Sequence, residues 1–137
     1  MPYLQGAVIC DAAREYEGKV SILGGFVSGV ASPVYPVAAP IWFAARVAFE
    51  FEEFAHEHDL VVQAKSGTDE VLAEVRAQMP GNQNPRAPLG DDMLPGVNLV
   101  VPLPFPIREA GMYWVELTVD GDLFSRLPFK AISPPPA

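Results

Sequence analysis

Two histidines close together in the chain are the nearest approach to a metal site. His56 and His58 stand in the run Ala-His-Glu-His-Asp. On a strand, side chains two residues apart share a face, so both imidazoles could reach one ion. A zinc site uses three or four ligands, however, and this chain has only 2 His and 1 Cys. We interpret the pair as polar residues at a strand junction, and we expect no metal and no cofactor.

A lone cysteine beside charged residues is the second candidate for chemistry. Cys10 precedes Asp11 and lies near Arg14. A nucleophilic thiol needs a neighbouring base or an electropositive setting that lowers its pKa. Cys10 lies in an apolar run, so we interpret it as a core thiol and expect Asp11 and Arg14 to serve the following turn. The chain is predicted not to be an enzyme.

The charge balance excludes several classes of partner. The formal net charge is −8, with no cluster of Lys or Arg. A protein that binds the nucleic-acid backbone needs a basic surface, and so does one that binds an anionic membrane. We therefore expect neither nucleic acid nor membrane as a partner. The many acidic residues between Glu50 and Glu70 are interpreted as a solvated acidic surface.

Two tryptophans are the best candidates for a binding surface. Trp42 and Trp114 each fall opposite the regular apolar face of their strand. If the two strands are neighbours, both indoles would form an exposed platform beside Arg46 and Glu116, as at protein interfaces or sugar-binding faces. The alternative is that a loop covers them. The sequence alone leaves both open.

The elements that would position these residues have the period of β-strands. Gly111 to Ala131 reads as a hairpin, with Asp120-Gly121 supplying the positive φ of a tight turn. Ile41 to Phe51 alternates strictly, which predicts a central strand.

Further strands are predicted at Leu4 to Asp11, with a polar turn from Ala12 to Gly18, and at Lys19 to Val30, interrupted by Gly24-Gly25. Another begins at Leu60. Glu70 to Met79 suits a strand or a helix capped near Thr68, and we favour the strand.

Prolines mark the later part of the chain. Pro102, Pro104 and Pro106 recur every second residue in a strand predicted from Val97 to Ile107, which indicates an edge strand. The long segment from Pro80 to Gly96 precedes it.

Loops of this length often carry recognition, so Asp91 and Asp92 within that segment join the candidate binding residues. Seven or eight short strands at this spacing predict an all-β fold, an antiparallel β-sandwich of immunoglobulin-like architecture. The predicted domain spans residues 1–132, with a proline-rich tail at 133–137.

Two stretches carry a resemblance to a known family. They are residues 8–15, Val-Ile-Cys-Asp-Ala-Ala-Arg-Glu, with 18–25, Gly-Lys-Val-Ser-Ile-Leu-Gly-Gly, and the closing hairpin with its Leu-Pro-Phe at 127–129. Together they resemble a family of small uncharacterised bacterial β-sandwich proteins. The resemblance implies a bacterial, single-domain protein, and the family has no established activity to carry over.

The function expected from these observations is protein–protein contact. The partner is a protein of unknown identity, and a homo-oligomer is one form of it. The alternative is a small-ligand or glycan-binding sandwich that uses an exposed Trp face; the weaker alternative is a metal-dependent enzyme at His56 and His58. A single cysteine and no signal-peptide pattern predict a cytoplasmic location.

Overall fold

The computed structural model describes residues 2–81 and 95–134 of the chain, and this part is almost entirely β-structure. Eleven strands and one helical turn lie within it. In chain order they are β1 Tyr3–Tyr16, β2 Lys19–Gly25, β3 Gly29–Ala31, β4 Val37–Ala39, β5 Trp42–Ala48, α1 Phe51–Phe54, β6 His58–Ser66, β7 Val71–Met79, β8 Gly96–Pro102, β9 Phe105–Ile107, β10 Gly111–Val119 and β11 Asp122–Ile132. The predicted all-β, sandwich-like fold is confirmed, while the immunoglobulin-like architecture stays a prediction.

The strands form two large sheets and one small one. The first has the order β2-β1-β5-β8, the second β3-β11-β10-β6-β7, and β4 pairs with β9. All pairs are antiparallel except β3 with β11. The strand predicted from Ile41 to Phe51 is central, between β1 and β8, as expected. It ends earlier than predicted, at Ala48, because Glu50 caps the helical turn α1 that begins at Phe51.

The core lies between the inward faces of the two large sheets. Phe43 and Val47 of β5 are fully buried, as are Val115 and Leu117 of β10. Phe105 packs edge-on to Phe129, with ring centroids 5.7 Å apart. Along β5 and β10 these side chains alternate with outward-facing ones, of which Arg46 and Trp114 are only half-buried. Such alternation is what sheet-on-sheet packing requires.

The hairpin of β10 and β11 matches its prediction. Tyr113 and Phe129 are a register pair and both are buried. The turn residues Asp120 and Gly121 have φ of 52° and 87°. Glu70 to Met79 is confirmed as a strand, because β7 pairs along its length with β6.

Three further predicted boundaries were wrong. The polar turn predicted from Ala12 to Gly18 is mostly strand: β1 runs to Tyr16, and the turn is Glu17–Gly18 alone. Backbone pairing with β2 keeps this polar stretch extended. The strand predicted from Lys19 to Val30 ends at Gly25, because Gly24 and Phe26 have φ of 61° and 60°.

The strand predicted from Val97 to Ile107 is two strands in different sheets. It breaks after Pro102, and the Leu103 N–H donates to the Ile41 carbonyl (2.8 Å) as the chain crosses to β9. Pro102 lies on the edge strand β8 of its sheet, so the edge position is confirmed for that part. These two divisions, together with the short strand β4, which was not predicted, account for the eleven strands described where seven or eight were predicted.

Two predicted regions fall partly outside the described residues. They are the segment Pro80 to Gly96, described only at its ends, and the tail 133–137, described to residue 134. None of the helical structure in the described residues has the length and apolar character that a membrane-crossing helix needs.

Candidate functional site

The two candidate tryptophans lie in different sheets. Trp42 belongs to β5 of the four-stranded sheet and Trp114 to β10 of the five-stranded sheet. The shared platform required neighbouring strands, so that hypothesis is wrong. Each indole is half-buried on the outer side of its own sheet. Asp91 and Asp92 lie outside the described residues.

Trp114 is part of an ion-pair network. The guanidinium of Arg126 lies 4.0 Å from the centre of the indole, a cation–π contact. Arg126 Nε also contacts Glu116 Oε2 (3.1 Å), and Lys65 Nζ contacts Glu116 Oε1 (2.8 Å). Glu116, expected beside an exposed platform, is instead buried beneath two cations. The indole of Trp114 and the three charged side chains therefore interact with one another, through one cation–π contact and two ion pairs.

A second charged group continues across the same outer face. Gln63 Nε2 donates to Glu74 Oε1 (2.6 Å), and Arg76 Nε donates to Glu74 Oε2 (2.9 Å). The bond from Gln63, followed by that from Arg76, lowers the pKa of Glu74. The outer face of the five-stranded sheet therefore carries charges that are largely paired with each other.

His58 is held by both ring nitrogens. Nδ1 lies 2.7 Å from Asp120 Oδ2, and Nε2 lies 2.6 Å from the Glu53 carbonyl. Burial alone lowers the pKa of His58, but the hydrogen bonds to Asp120 and Glu53 outweigh it and the pKa is raised. A ring that donates to two oxygens is the imidazolium form.

His56 does not share a strand with His58, because β6 begins at His58 and His56 is exposed before it. Both nitrogens of His58 are already engaged, so the pair cannot bind one ion as a strand would present it. No group of three or more potential ligands from His, Cys, Asp and Glu occurs among residues 2–81 and 95–134.

Cys10 is enclosed, although it lies on the outer side of its sheet. Its Sγ donates weakly to the Trp42 carbonyl (3.7 Å), and its side chain is fully buried. Burial, then the charge of Asp11, raise the pKa of the thiol. The thiol form is therefore favoured over the nucleophilic thiolate.

The projecting end of the β1–β2 hairpin covers the outer face of the four-stranded sheet. This end, Asp11 to Gly25, is here named the β1–β2 arm. Asn98 Nδ2 of β8 donates to the Gly18 carbonyl at the tip of the arm (2.9 Å). In the sheet, β5 separates β1 from β8. The arm therefore folds back across the outer face of the four-stranded sheet, and this explains the burial of Ala44 beneath it.

A groove of about 630 Å³ lies between the arm and the sheet. The sheet provides its floor, through Gln5–Val8, Ala44–Arg46 and Asn98. The arm and the residue after it provide the opposite wall, through Gly18–Val20, Ile22 and Phe26. The volume is in the range of about 300–1,000 Å³ typical of small-molecule sites.

The groove is polar at one end and apolar at the other. Arg46 NH1 donates to Asn98 Oδ1 (2.9 Å), and Asn98 holds the arm tip, so these groups mark the polar end. Ala44 and its register partner Val8 lie two residues further along the strands, toward Phe26.

The charge of the groove differs from that of the chain as a whole. Arg46 and Lys19 are the charged side chains of its lining, and no acidic residue is among the described residues that line it. The groove is therefore a basic site in a chain whose formal net charge is −8.

Apolar side chains are exposed on the arm and just beyond it. Leu23 is 72% exposed and Phe26 is 88% exposed, the latter held in a positive-φ conformation. The sequence pattern predicted a polar turn from Ala12 to Gly18 and a strand from Lys19 to Val30, so the arm was not recognised. The available signal was Ile22-Leu23 and Phe26 flanking Gly24-Gly25, a concentration of apolar residues beside flexible ones.

Residues 5–132 match the model of a protein family of unknown function, DUF6941. Because this match covers nearly the whole chain, the protein belongs to that family. The uncharacterised domain expected from the sequence resemblance is thereby confirmed. No curated protein matches the chain.

Proposed function

We propose that this domain is a protein-interaction module that self-associates through the free edge of β2. The single observation that carries the proposal is the unprotected, apolar edge of this strand. β2 is an outer strand of its sheet, and all its residues except Val20 are exposed. An exposed strand edge is a ready template for pairing with another chain.

The other edge strands of the two large sheets have the features that block such pairing. β7 carries Glu74 and Arg76, and β8 ends in Pro102. β3 is three residues long and is soon followed by Pro33. Charges, prolines and short length are the usual protections of an edge. β2 has seven residues, no proline, and Lys19 as its one charge.

The geometry of the turn determines which β2 groups point outward. A two-residue turn with two positive φ angles makes its flanking residues, Tyr16 and Lys19, a hydrogen-bonded pair. Since pairing alternates along an antiparallel ladder, the N–H groups of Val20 and Ile22 face away from β1. These two outward donors allow a short strand-to-strand contact.

A two-fold pairing of β2 with its own copy is compatible with its charge. Antiparallel pairing centred on Ile22 places Lys19 of each copy opposite Gly25 of the other, so the two ammonium groups lie at opposite ends. Such an interface is self-complementary and closes as a dimer. Leu23 of both copies would lie near the axis, where an exposed apolar side chain gains most from burial.

Sedimentation velocity over a concentration series tests this proposal. We expect the natural chain to form dimers, and Ile22→Pro to be monomeric, because proline removes one of the outward donors and leaves the β1 ladder intact. Leu23→Lys should also be monomeric. The dimer should tighten as salt is raised, because each chain carries a net charge of −8 and salt screens the repulsion.

Two controls locate the contact. Leu123→Lys makes the same change at a side chain that is 55% exposed in β11, and it should remain dimeric. Trp114→Ala removes the indole of the other sheet and should also remain dimeric. A natural chain that is monomeric throughout, or a dimer lost in Trp114→Ala but kept in Ile22→Pro, would contradict the proposal.

The proposal is of a non-enzymatic, cytoplasmic protein. Two observations support it. The groups best suited to catalysis are engaged or suppressed, since His58 donates from both nitrogens and burial raises the pKa of Cys10. A buried free thiol also suits a reducing compartment.

A further inference from the structure

We propose that the groove beneath the β1–β2 arm binds a small aliphatic carboxylate, with the carboxylate on Arg46 and the alkyl chain along the apolar end. This goes beyond the proposed self-association and rests on a different surface. Its basis is a groove of about 630 Å³ whose charged and apolar groups are separated along its length.

The sign of the charge is the first argument. The chain carries 17 acidic and 9 basic residues, so a surface patch taken at random would be acidic. The groove departs from this, since its charged lining residues are Lys19 and Arg46. Neither has an acidic partner among the described residues, which is also true of Arg14 and Lys130 outside the groove, whereas Lys65, Arg76, Arg108 and Arg126 all do. Two unpaired cations in an acidic protein favour an anionic ligand.

The orientation of Arg46 is the second argument. The register pairs Arg46 with Gly6 on one side and Asn98 on the other, so its side chain leaves the middle of the sheet floor. One amino group donates to Asn98, which fixes the guanidinium and leaves other N–H donors available. A fixed guanidinium suits a carboxylate, which it binds through two parallel hydrogen bonds. Lys19 adds a second positive charge from the opposite wall.

The remaining lining selects the rest of the ligand. Val8, Val20, Ile22, Phe26 and Ala44 offer carbon surfaces, and the strand rise of about 3.4 Å per residue separates Ala44 from Arg46 by about 7 Å. A ligand that fills the groove therefore needs one anionic end and a flexible apolar body. A straight-chain fatty acid has this chemistry.

Gly6 gives a way to fill the groove without disturbing the fold. A Cβ added at Gly6 meets no atom within 4 Å, and Gly6 lies in the floor. Gly6→Leu should therefore fold normally and occupy the space of the ligand. This variant leaves both cations in place, so it separates loss of space from loss of charge.

Isothermal titration calorimetry with decanoate and with decyltrimethylammonium tests the proposal. We expect the natural chain to bind decanoate, and the cation of equal chain length to bind at least roughly tenfold more weakly, since only the anion can use Arg46. Arg46→Met should lose the same factor or more for decanoate. Arg14→Met removes an equal charge from the arm outside the groove and should bind decanoate as the natural chain does.

Two further variants complete the design. Gly6→Leu should bind neither amphiphile, and Leu23→Lys, which is expected to abolish dimers, should still bind decanoate, because Leu23 does not line the groove. The proposal is overturned if Gly6→Leu binds decanoate normally, if Arg46→Met is unaffected, or if the cation binds as tightly as the anion. It is also overturned if an aliphatic peptide with a free carboxyl end binds to the groove and decanoate does not.

Discussion

Two hairpins of this molecule share a turn and differ in almost everything else. β1–β2 turns at Glu17–Gly18, with φ of 51° and 76°, and β10–β11 turns at Asp120–Gly121, with φ of 52° and 87°. The second hairpin lies in the middle of the larger sheet and buries Leu117 completely. The first projects from the four-stranded sheet and leaves Leu23 72% exposed.

The difference separates a hairpin that stabilises the domain from one that carries the proposed binding surfaces. The β10–β11 hairpin and its neighbour β6 satisfy their charges internally, through Glu116, Lys65 and Arg126. The β1–β2 arm leaves apolar side chains, a strand edge and Lys19 without such partners among the described residues. Exposed apolar surface costs solubility, and where it is concentrated it commonly marks a contact site. The comparison therefore places the proposed functions on the arm and the stability of the domain on the other hairpin.

Truncation of one leucine in each hairpin should give the largest difference in stability between the two hairpins. Leu117→Ala should lower the free energy of unfolding by about 2–5 kcal/mol, because it removes a fully buried side chain from the core. Leu23→Ala should change it by less than about 0.5 kcal/mol, as is usual for an exposed site. Chemical denaturation of the dilute monomer measures both.

Equal losses from the two variants would mean that the arm folds as part of the core, and the division between structural and binding hairpins would be wrong. Hydrogen exchange gives an independent check. Amides of the arm should exchange through local opening, and those of β10 only through global unfolding.

Substitution of the second turn residue should have a smaller effect that still differs between the hairpins. Gly121→Val should cost about 1–3 kcal/mol, because a β-branched side chain resists positive φ. Gly18→Val imposes the same local strain at the tip of the arm. There the arm can separate from the sheet at the Asn98 contact, so the free energy of global unfolding should change less. Thermal melting of the two variants side by side makes the measurement, and the opposite ranking would show that the arm tip is essential to the fold.

The β10–β11 hairpin was predictable from the sequence, because burial of one face imposes alternation on its side chains. Tyr113, Leu117 and Phe129 occupy inward positions, and Asp120-Gly121 is a characteristic hairpin turn. The arm was not recognised for the converse reason. Its two strands are mostly solvent-exposed, so no burial pattern distinguishes Ala12 to Tyr16 from a loop.

The candidate site depended on contacts between distant parts of the chain. Arg46 was among the predicted binding residues, but it was assigned to the Trp platform, whereas in the fold it lines the groove with Lys19. That neighbourhood arises because Asn98 holds Gly18, a contact 80 residues apart in the chain. Alternation along a strand gives the face of a residue, and it cannot give the element that folds over that face.

The smallest expected effect is a pH dependence of the free energy of unfolding, which arises at the turn of the β10–β11 hairpin and not at that of the β1–β2 arm. His58 and Asp120 form an ion pair in which the pKa of His58 is raised from its ordinary value of 6.5. The folded state therefore holds this proton more tightly than the unfolded state. The stabilisation is complete below pH 6.5 and is lost as pH rises through the higher pKa of the folded state.

The pKa of Asp120 is shifted the other way. Burial raises it, but the hydrogen bond from His58 and that from the Asp59 N–H outweigh burial and lower it from 3.8. Its contribution is present above pH 3.8 and is lost as pH falls through the lower folded pKa. Both groups are charged between about pH 3.8 and 6.5, so the pair contributes most within that window.

Asp120→Asn isolates this pair, because asparagine tolerates the positive φ of the turn and retains an oxygen for the Asp59 N–H. Above pH 6.5 the free energy of unfolding of the natural chain should carry a downward component from His58, limited for one proton to about 1.4 kcal/mol per pH unit. Asp120→Asn should reduce that component. Glu17→Gln changes the same position of the other turn and should leave the slope unchanged, since His58 lies in β6 of the other large sheet. Urea unfolding at several pH values measures the slopes, and a slope unaffected by Asp120→Asn would show that this ion pair does not couple folding to pH.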